Sequence, residues 1–281
     1  MSWRLGICHR TGYRYNGPVA FSYNEARLTP LTTNRQVVLE SSLDVYPPAS
    51  TLRYWDYWGT LVHAFDVHVA HTQLAVTAAS VVETSSPLSA PHDTSWEDLS
   101  GLAVADRFAE LLLPTSYVPT DPELVVAADR FRTSCSTPVE ACEVAAAWVR
   151  EKLTYKSGST TVSTSALEAL GQGTGVCQDF AHLTLGLVRA MGMPARYVSG
   201  YLHPSDEAEV GSTQLGEGHA WVEVWLGDWW PIDPTNAQAV GERYVVLARA
   251  RDYADVSPLK GVYRGAPSEA LAVSVELTRL A

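Results

Sequence analysis

Gly171-Gln172-Gly173-Thr174-Gly175-Val176-Cys177-Gln178-Asp179-Phe180 decides how this chain is read. The alternate glycines free the backbone for positive φ and for close approach of other groups. Phe180, Thr184, Leu187, Val188 and Met191 follow at helical spacing, and Gly192 and Pro194 end the run. The pattern predicts a core helix that begins at or beside Cys177. At such a start, unpaired amides and the positive end of the helix dipole favour a thiolate, and the same amides can cradle an oxyanion. A free cysteine is more often a small buried hydrophobe, so this thiol needs partners elsewhere to count as a nucleophile.

The partners come from Gly218-His219-Ala220-Trp221-Val222-Glu223-Val224-Trp225-Leu226-Gly227-Asp228-Trp229-Trp230-Pro231-Ile232-Asp233-Pro234, which reads as a hairpin turning at Gly227-Asp228. His219, Trp221, Glu223 and Trp225 share one strand face, because strand side chains alternate. If Leu226-Gly227-Asp228 form the loop, Trp225 opposes Trp229 and Asp233 lies diagonally beside His219. A two-residue loop would send the carboxylate to the other face. In a Cys–His–Asp set the imidazole moves the thiol proton and the carboxylate fixes and supports the imidazole. Asp233 before Pro234 also suits a plain turn-forming acid.

Working outward, residues 1–83 read as an antiparallel β domain. Ser2–Tyr15, Arg35–Tyr46, Leu61–Val69 and Gln73–Val82 are its strands, separated by turn signals at Asn16-Gly17-Pro18, Pro47-Pro48 and Trp58-Gly59. Residues 84–91, with two prolines and four hydroxyl residues, read as a linker. Residues 92–281 then run helices first and strands after, an α+β order. Asp121-Pro122 starts one helix. Thr137-Pro138-Val139-Glu140 starts another as a capping box, with Cys142, Ala145, Val149 and Leu153 on one face. Ser165–Glu168 starts a short helix stopped by Gly171.

Four segments together resemble the bacterial transglutaminase-like proteins: Gly175–Leu183, Pro194–Tyr201, Gly218–Val224 and Asp233-Pro234-Thr235-Asn236. The resemblance implies a papain-like Cys–His–Asp core preceded by an antiparallel β-sandwich-like domain, strongest from about residue 130 to 240. It places the triad on Cys177, His219 and Asp233 and implies acyl transfer through a thioester. One departure is Gly59-Thr60, where the family's N-terminal domain often has Gly-Asn.

Around that triad, Gln172, Tyr155 and Gln178 are candidates for an oxyanion donor or a supporting contact beside the Cys177 amide. Trp221, Tyr253 and Tyr263 are candidates for the substrate cleft, the last two on a polar-aromatic segment, Arg251–Gly265, read as a loop. Asp179 is expected to cap its helix and His182 to sit in the core or behind the site.

Composition limits the rest. Thirty-one acidic against 20 basic side chains give a net charge of −11, which argues against a nucleic-acid partner. At 46% hydrophobic and 18% charged, the chain lies outside the disordered regime. No apolar run is long enough to span a membrane, and Met1-Ser2-Trp3-Arg4-Leu5-Gly6 has no secretory pattern. The four scattered cysteines read as reduced thiols, so the expectation is a cytoplasmic protein. No CxxC, HExxH or Walker spacing occurs, so neither a metal nor a cofactor is expected. The expected activity is hydrolysis of a peptide or other amide; cross-linking of glutamine to amines and a non-catalytic peptide-binding module are the rivals.

Overall fold

The computed structural model describes residues 2–89, 91 and 94–281. Met1, Ala90 of the expected linker, and His92 and Asp93 at the start of the expected second domain lie outside the described residues. The chain is 24% helix and 42% strand, an antiparallel half-barrel joined to a transglutaminase-like core.

The half-barrel opens with β1 (Ser2–Ala26), β2 (Gln36–Tyr46), β3 (Thr51–Trp55), β4 (Leu61–Val67) and β5 (His71–Ser85). Strand β1 runs straight through Asn16-Gly17-Pro18, where the sequence predicts a turn. Those residues mark the irregularity at which β1 changes neighbours on one side, leaving β5 for β4. A proline without an N–H suits such a break in the ladder.

The helical layer follows: α1 (Trp96–Leu99), α2 (Leu102–Arg107), α3 (Pro122–Ser134), α4 (Pro138–Lys152), α5 (Ala166–Gln172), α6 (Cys177–Ala190) and the later α7 (Tyr253–Val256). Asp121 caps α3 and Thr137 caps α4 as the sequence predicts. Glu140 departs from its expected role, since its carboxylate takes the Ser136 N–H at 2.8 Å rather than that of Thr137. Helix α5 continues through Gly171 and ends instead at Gly173, which is left-handed at φ 66°. Helix α6 is buried on nearly all sides, because α3, α4, α5 and a sheet all pack on it.

That sheet has the order β11-β10-β8-β12, formed by β8 (Ala195–Leu202), β10 (Gly218–Trp225), β11 (Trp229–Ile232) and β12 (Tyr244–Ala250). Short β6 (Thr154–Tyr155) and β7 (Thr174–Gly175) pair beside α6. The remaining strands, β9 (Thr213–Gly216), β13 (Leu259–Gly265) and β14 (Ser268–Arg279), belong to the half-barrel, with β14 pairing β1 along Leu5–Tyr15. Strands from beyond residue 91 thus enter the half-barrel. The end of the chain completes the sheet that the beginning starts, and Trp3, Leu5, Val82 and Leu277 share one core with α6. Arg251–Gly265 is no loop but α7 followed by β13.

Candidate active site

Cys177 is the first residue of α6. Val176, just before it, has no side-chain oxygen, so the helix start is completed by Asp179, whose Oδ2 takes the Val176 N–H at 2.8 Å and the Thr160 hydroxyl at 2.6 Å. Asp179 is fully buried, and burial, partly offset by these bonds, raises its pKa. Its closeness explains Gly175, where a Cβ would stand 2.8 Å from that of Asp179. The amides of Cys177 and Gln178, at the first two helical positions, have no intrahelical acceptor and face whatever binds at the helix start.

His219 arrives from β10. Trp225 pairs Trp229 and Val222 pairs Ile232, the register of a three-residue loop. Asp233, one residue beyond β11, thus lies diagonal to His219, and its Oδ2 accepts from His219 Nε2 at 2.8 Å. Cys177 lines the same cleft as His219 and lies close enough for its thiol to act on the ring. Burial alone would lower the imidazole pKa, but the bonds to Asp233 and Cys177 and their charges raise it to about 9. Asp233 is also buried, which works against its ionisation, yet its partners hold it down at about 2.

Those partners exceed the triad. Oδ2 also accepts from Tyr244 Oη at 2.7 Å and Asn236 Nδ2 at 2.9 Å, while Oδ1 takes the backbone N–H groups of Thr235 and Asn236. Tyr244 in turn accepts from Gln238 Nε2 at 2.7 Å. Asn236 belongs to the Asp-Pro-Thr-Asn motif, and an acid bonding amides two and three residues on is an Asx-type turn that sequence can suggest. Tyr244 carried no signal, because only the pairing of β12 with β8 brings it under the site.

A cleft of about 620 Å³ opens over these groups, with Tyr155, Cys177, Leu215, Glu217, His219 and Arg243 among its walls. It lies on the seam between the two sheets, since Glu217 is the single residue separating β9 of the half-barrel from β10 of the core sheet. Of the other candidates, Tyr155 is brought to the cleft. Gln178 contributes only its backbone, because its side-chain amide donates to the Val162 carbonyl at 3.4 Å. Gln172 is exposed at the end of α5 and lies outside the cleft.

The three aromatic cleft candidates are placed elsewhere. Trp221 is fully buried behind His219, roughly parallel to its ring at 6.0 Å, and it fits only because Gly200 has no Cβ to strike it. Tyr253 caps the far side of α6, where its N–H donates to His182 Nε2 at 3.2 Å. His182, fully buried among Tyr117 and Tyr197, has its pKa lowered to about 3 by burial and the nearby Arg189 charge, so it is a neutral core residue. Tyr263 sits on β13 against Tyr15, because the segment it belongs to is a strand of the half-barrel. All four cysteines are free, and Cys142 lies 3.8 Å from the Met193 sulfur rather than on Cys135. No helix among the described residues is long and apolar enough to cross a membrane.

Comparison with known proteins agrees with this architecture. Residues 126–234 match the transglutaminase-like superfamily, and residues 5–83 match the bacterial transglutaminase-like N-terminal region. An uncharacterized protein of Mycobacterium leprae (strain TN) is 48% identical over 99% of this chain and 100% of its own length. A protein-glutamine gamma-glutamyltransferase of Pseudomonas aeruginosa is 35% identical, but over 34% of this chain and 15% of its own. The crystal structure of "a Putative Cysteine Protease from Cytophaga hutchinsonii" has the same fold, with a TM-score of 0.78, 24% identity, and coverage of 98% of this chain and 90% of that one.

Proposed function

The chain belongs to the transglutaminase-like superfamily, and from that premise we propose that it is a thiol-dependent acyl-transfer enzyme that hydrolyses an amide. The observation that carries the proposal is His219, bonded through Nε2 to a buried carboxylate and sharing the wall of an open cleft with the Cys177 thiol, which acts on its ring. The Cys177 proton passes to His219 Nδ1 and the sulfur attacks the carbonyl carbon. The Cys177 and Gln178 amides receive the developing oxyanion, with the Tyr155 phenol at the rim as a further donor. As the C–N bond breaks, His219 returns the proton to the leaving amine, and Asp233 supports the imidazolium meanwhile. Water, deprotonated by His219, then cleaves the thioester to an acid. No step calls for a metal or cofactor. The partner is a peptide or amide, and four free thiols support a reducing, cytoplasmic setting.

Incubation with a glutamine-bearing peptide and a tagged primary amine, followed by mass spectrometry, tests the reaction. Deamidated or cleaved peptide is expected, and Cys177→Ala should abolish it. Tagged peptide alone would make the reaction transamidation, the reading favoured by the short match to the gamma-glutamyltransferase. A Cys177 alkylated by iodoacetamide at mildly acidic pH no faster than Cys8 would instead support a non-catalytic binding module.

A further inference from the structure

A second pocket, of about 230 Å³, opens on the face of the core sheet turned away from α6. Three guanidiniums line it, those of Arg35, Arg196 and Arg249, around a single buried carboxylate, Glu223. Glu223 uses both oxygens on two of them, accepting from Arg196 Nε at 2.7 Å and from Arg249 Nη2 at 2.9 Å. Arg35 feels the Glu223 charge but hydrogen-bonds the Ser86 carbonyl instead. The other acid in the lining, Asp228, is exposed and takes the Trp229 N–H at 2.7 Å. Positive charge thus outnumbers negative in a partly buried space, where water screens it poorly.

The three cations come from opposite sides of the junction. Arg196 and Arg249 stand on the core sheet, whereas Arg35 precedes β2 of the half-barrel. The Gln36 side chain seats that segment, donating to the Val246 carbonyl at 2.9 Å and accepting its N–H at 2.8 Å. We propose that this pocket is a binding site for a small oxyanion, a phosphate or carboxylate group, which bridges Arg35 to the Arg196–Glu223–Arg249 cluster and clamps the two sheets together. Guanidinium forks match such anions geometrically, and the volume admits one group with part of its carrier. Trp221 and Tyr244 line the same pocket, and their rings pack 6.0 Å from His219, so the clamp bears on the triad from behind. The proposal does not depend on what Cys177 does.

Thermal unfolding of the full chain, titrated with sodium phosphate, sodium acetate and sodium chloride at matched ionic strength, tests it. Phosphate should raise Tm from near its Kd upward, logarithmically with concentration and by about 3 °C at roughly ten times Kd. The same rise with acetate as well would point to a carboxylate-bearing ligand, and with phosphate alone to a phosphate-bearing one. Arg35→Gln, which spares the Glu223 network, should weaken the effect at least tenfold, and Asp228→Asn should strengthen it. A rise that chloride reproduces, or that Arg35→Gln leaves intact, overturns the proposal. Should the variants fail to fold, calorimetry on the unaltered protein decides: a saturable heat with phosphate is expected, and its absence sinks the site.

Discussion

Two carboxylates are buried on or beside the same hairpin, and they are held in opposite ways. Glu223 is locked between Arg196 and Arg249, fixed charges that cancel its own and lower its pKa despite burial. Asp233 is surrounded by neutral donors, namely Tyr244, Asn236 and two backbone amides, and the one basic group bonded to it among the described residues is His219. The first arrangement consumes the negative charge for structure. The second keeps it ionised yet unneutralised, available to stabilise a positive imidazole. A carboxylate serves catalysis when dipoles rather than cations solvate it.

The comparison is most exposed to Asp233→Asn. With the charge gone and a wrong ring tautomer favoured, kcat/KM for amide turnover should fall by about 10³–10⁴-fold, far more than the accompanying fall in Tm can explain. A loss under tenfold would break the contrast.

Glu223→Gln should do the reverse. It leaves two guanidiniums without their shared anion, at a cost of about 3 kcal/mol, so Tm should drop by about 5–10 °C with kcat almost unchanged. Thermal melts beside steady-state assays read both quantities.

Tyr244→Phe sharpens the account of Asp233 by removing one of its neutral donors. Loss of about tenfold in kcat/KM is expected, together with an alkaline limb of the pH–rate profile shifted towards higher pH, because a less satisfied carboxylate holds the imidazolium more strongly. A pH profile that does not move would make Tyr244 a packing residue.

The smallest expected effect is on the pH dependence of stability. His219, raised from 6.5 to about 9, contributes stability that is full below pH 6.5 and lost as pH rises through about 9. Asp233, lowered from 3.8 to about 2, contributes stability present above pH 3.8 and lost as pH falls through about 2. Tm measured from pH 7 to 10 should decline gently in the parent chain, and the decline should flatten in Asp233→Asn. The Glu223→Gln variant should keep the parent's slope.

Helix starts at Asp121, Thr137 and Ser165, the α6 helix, the hairpin register and hence the diagonal of His219 and Asp233 were all readable, because caps, glycine turns and strand alternation act within a few residues. The loop reading at 251–265 departs from the structure for one reason. Which strand completes a sheet is set by pairing between distant segments, and β13 and β14 look from sequence like any exposed strand or loop. Trp221, Tyr253 and Tyr263 were aromatic in the right neighbourhood of sequence but not of space.

By itself, then, the sequence determined what short-range physics controls: a thiol at a helix start, and a histidine and an acid on matched positions of one hairpin. Only the tertiary structure decided what lies around them. It brought Tyr244 from β12 to Asp233, Arg35 to the Glu223 cluster, and β9 across the seam to wall the cleft. Each of these depends on long-range closure of the chain, where burial of a common core outweighs local preference and no nearby residue announces the partner.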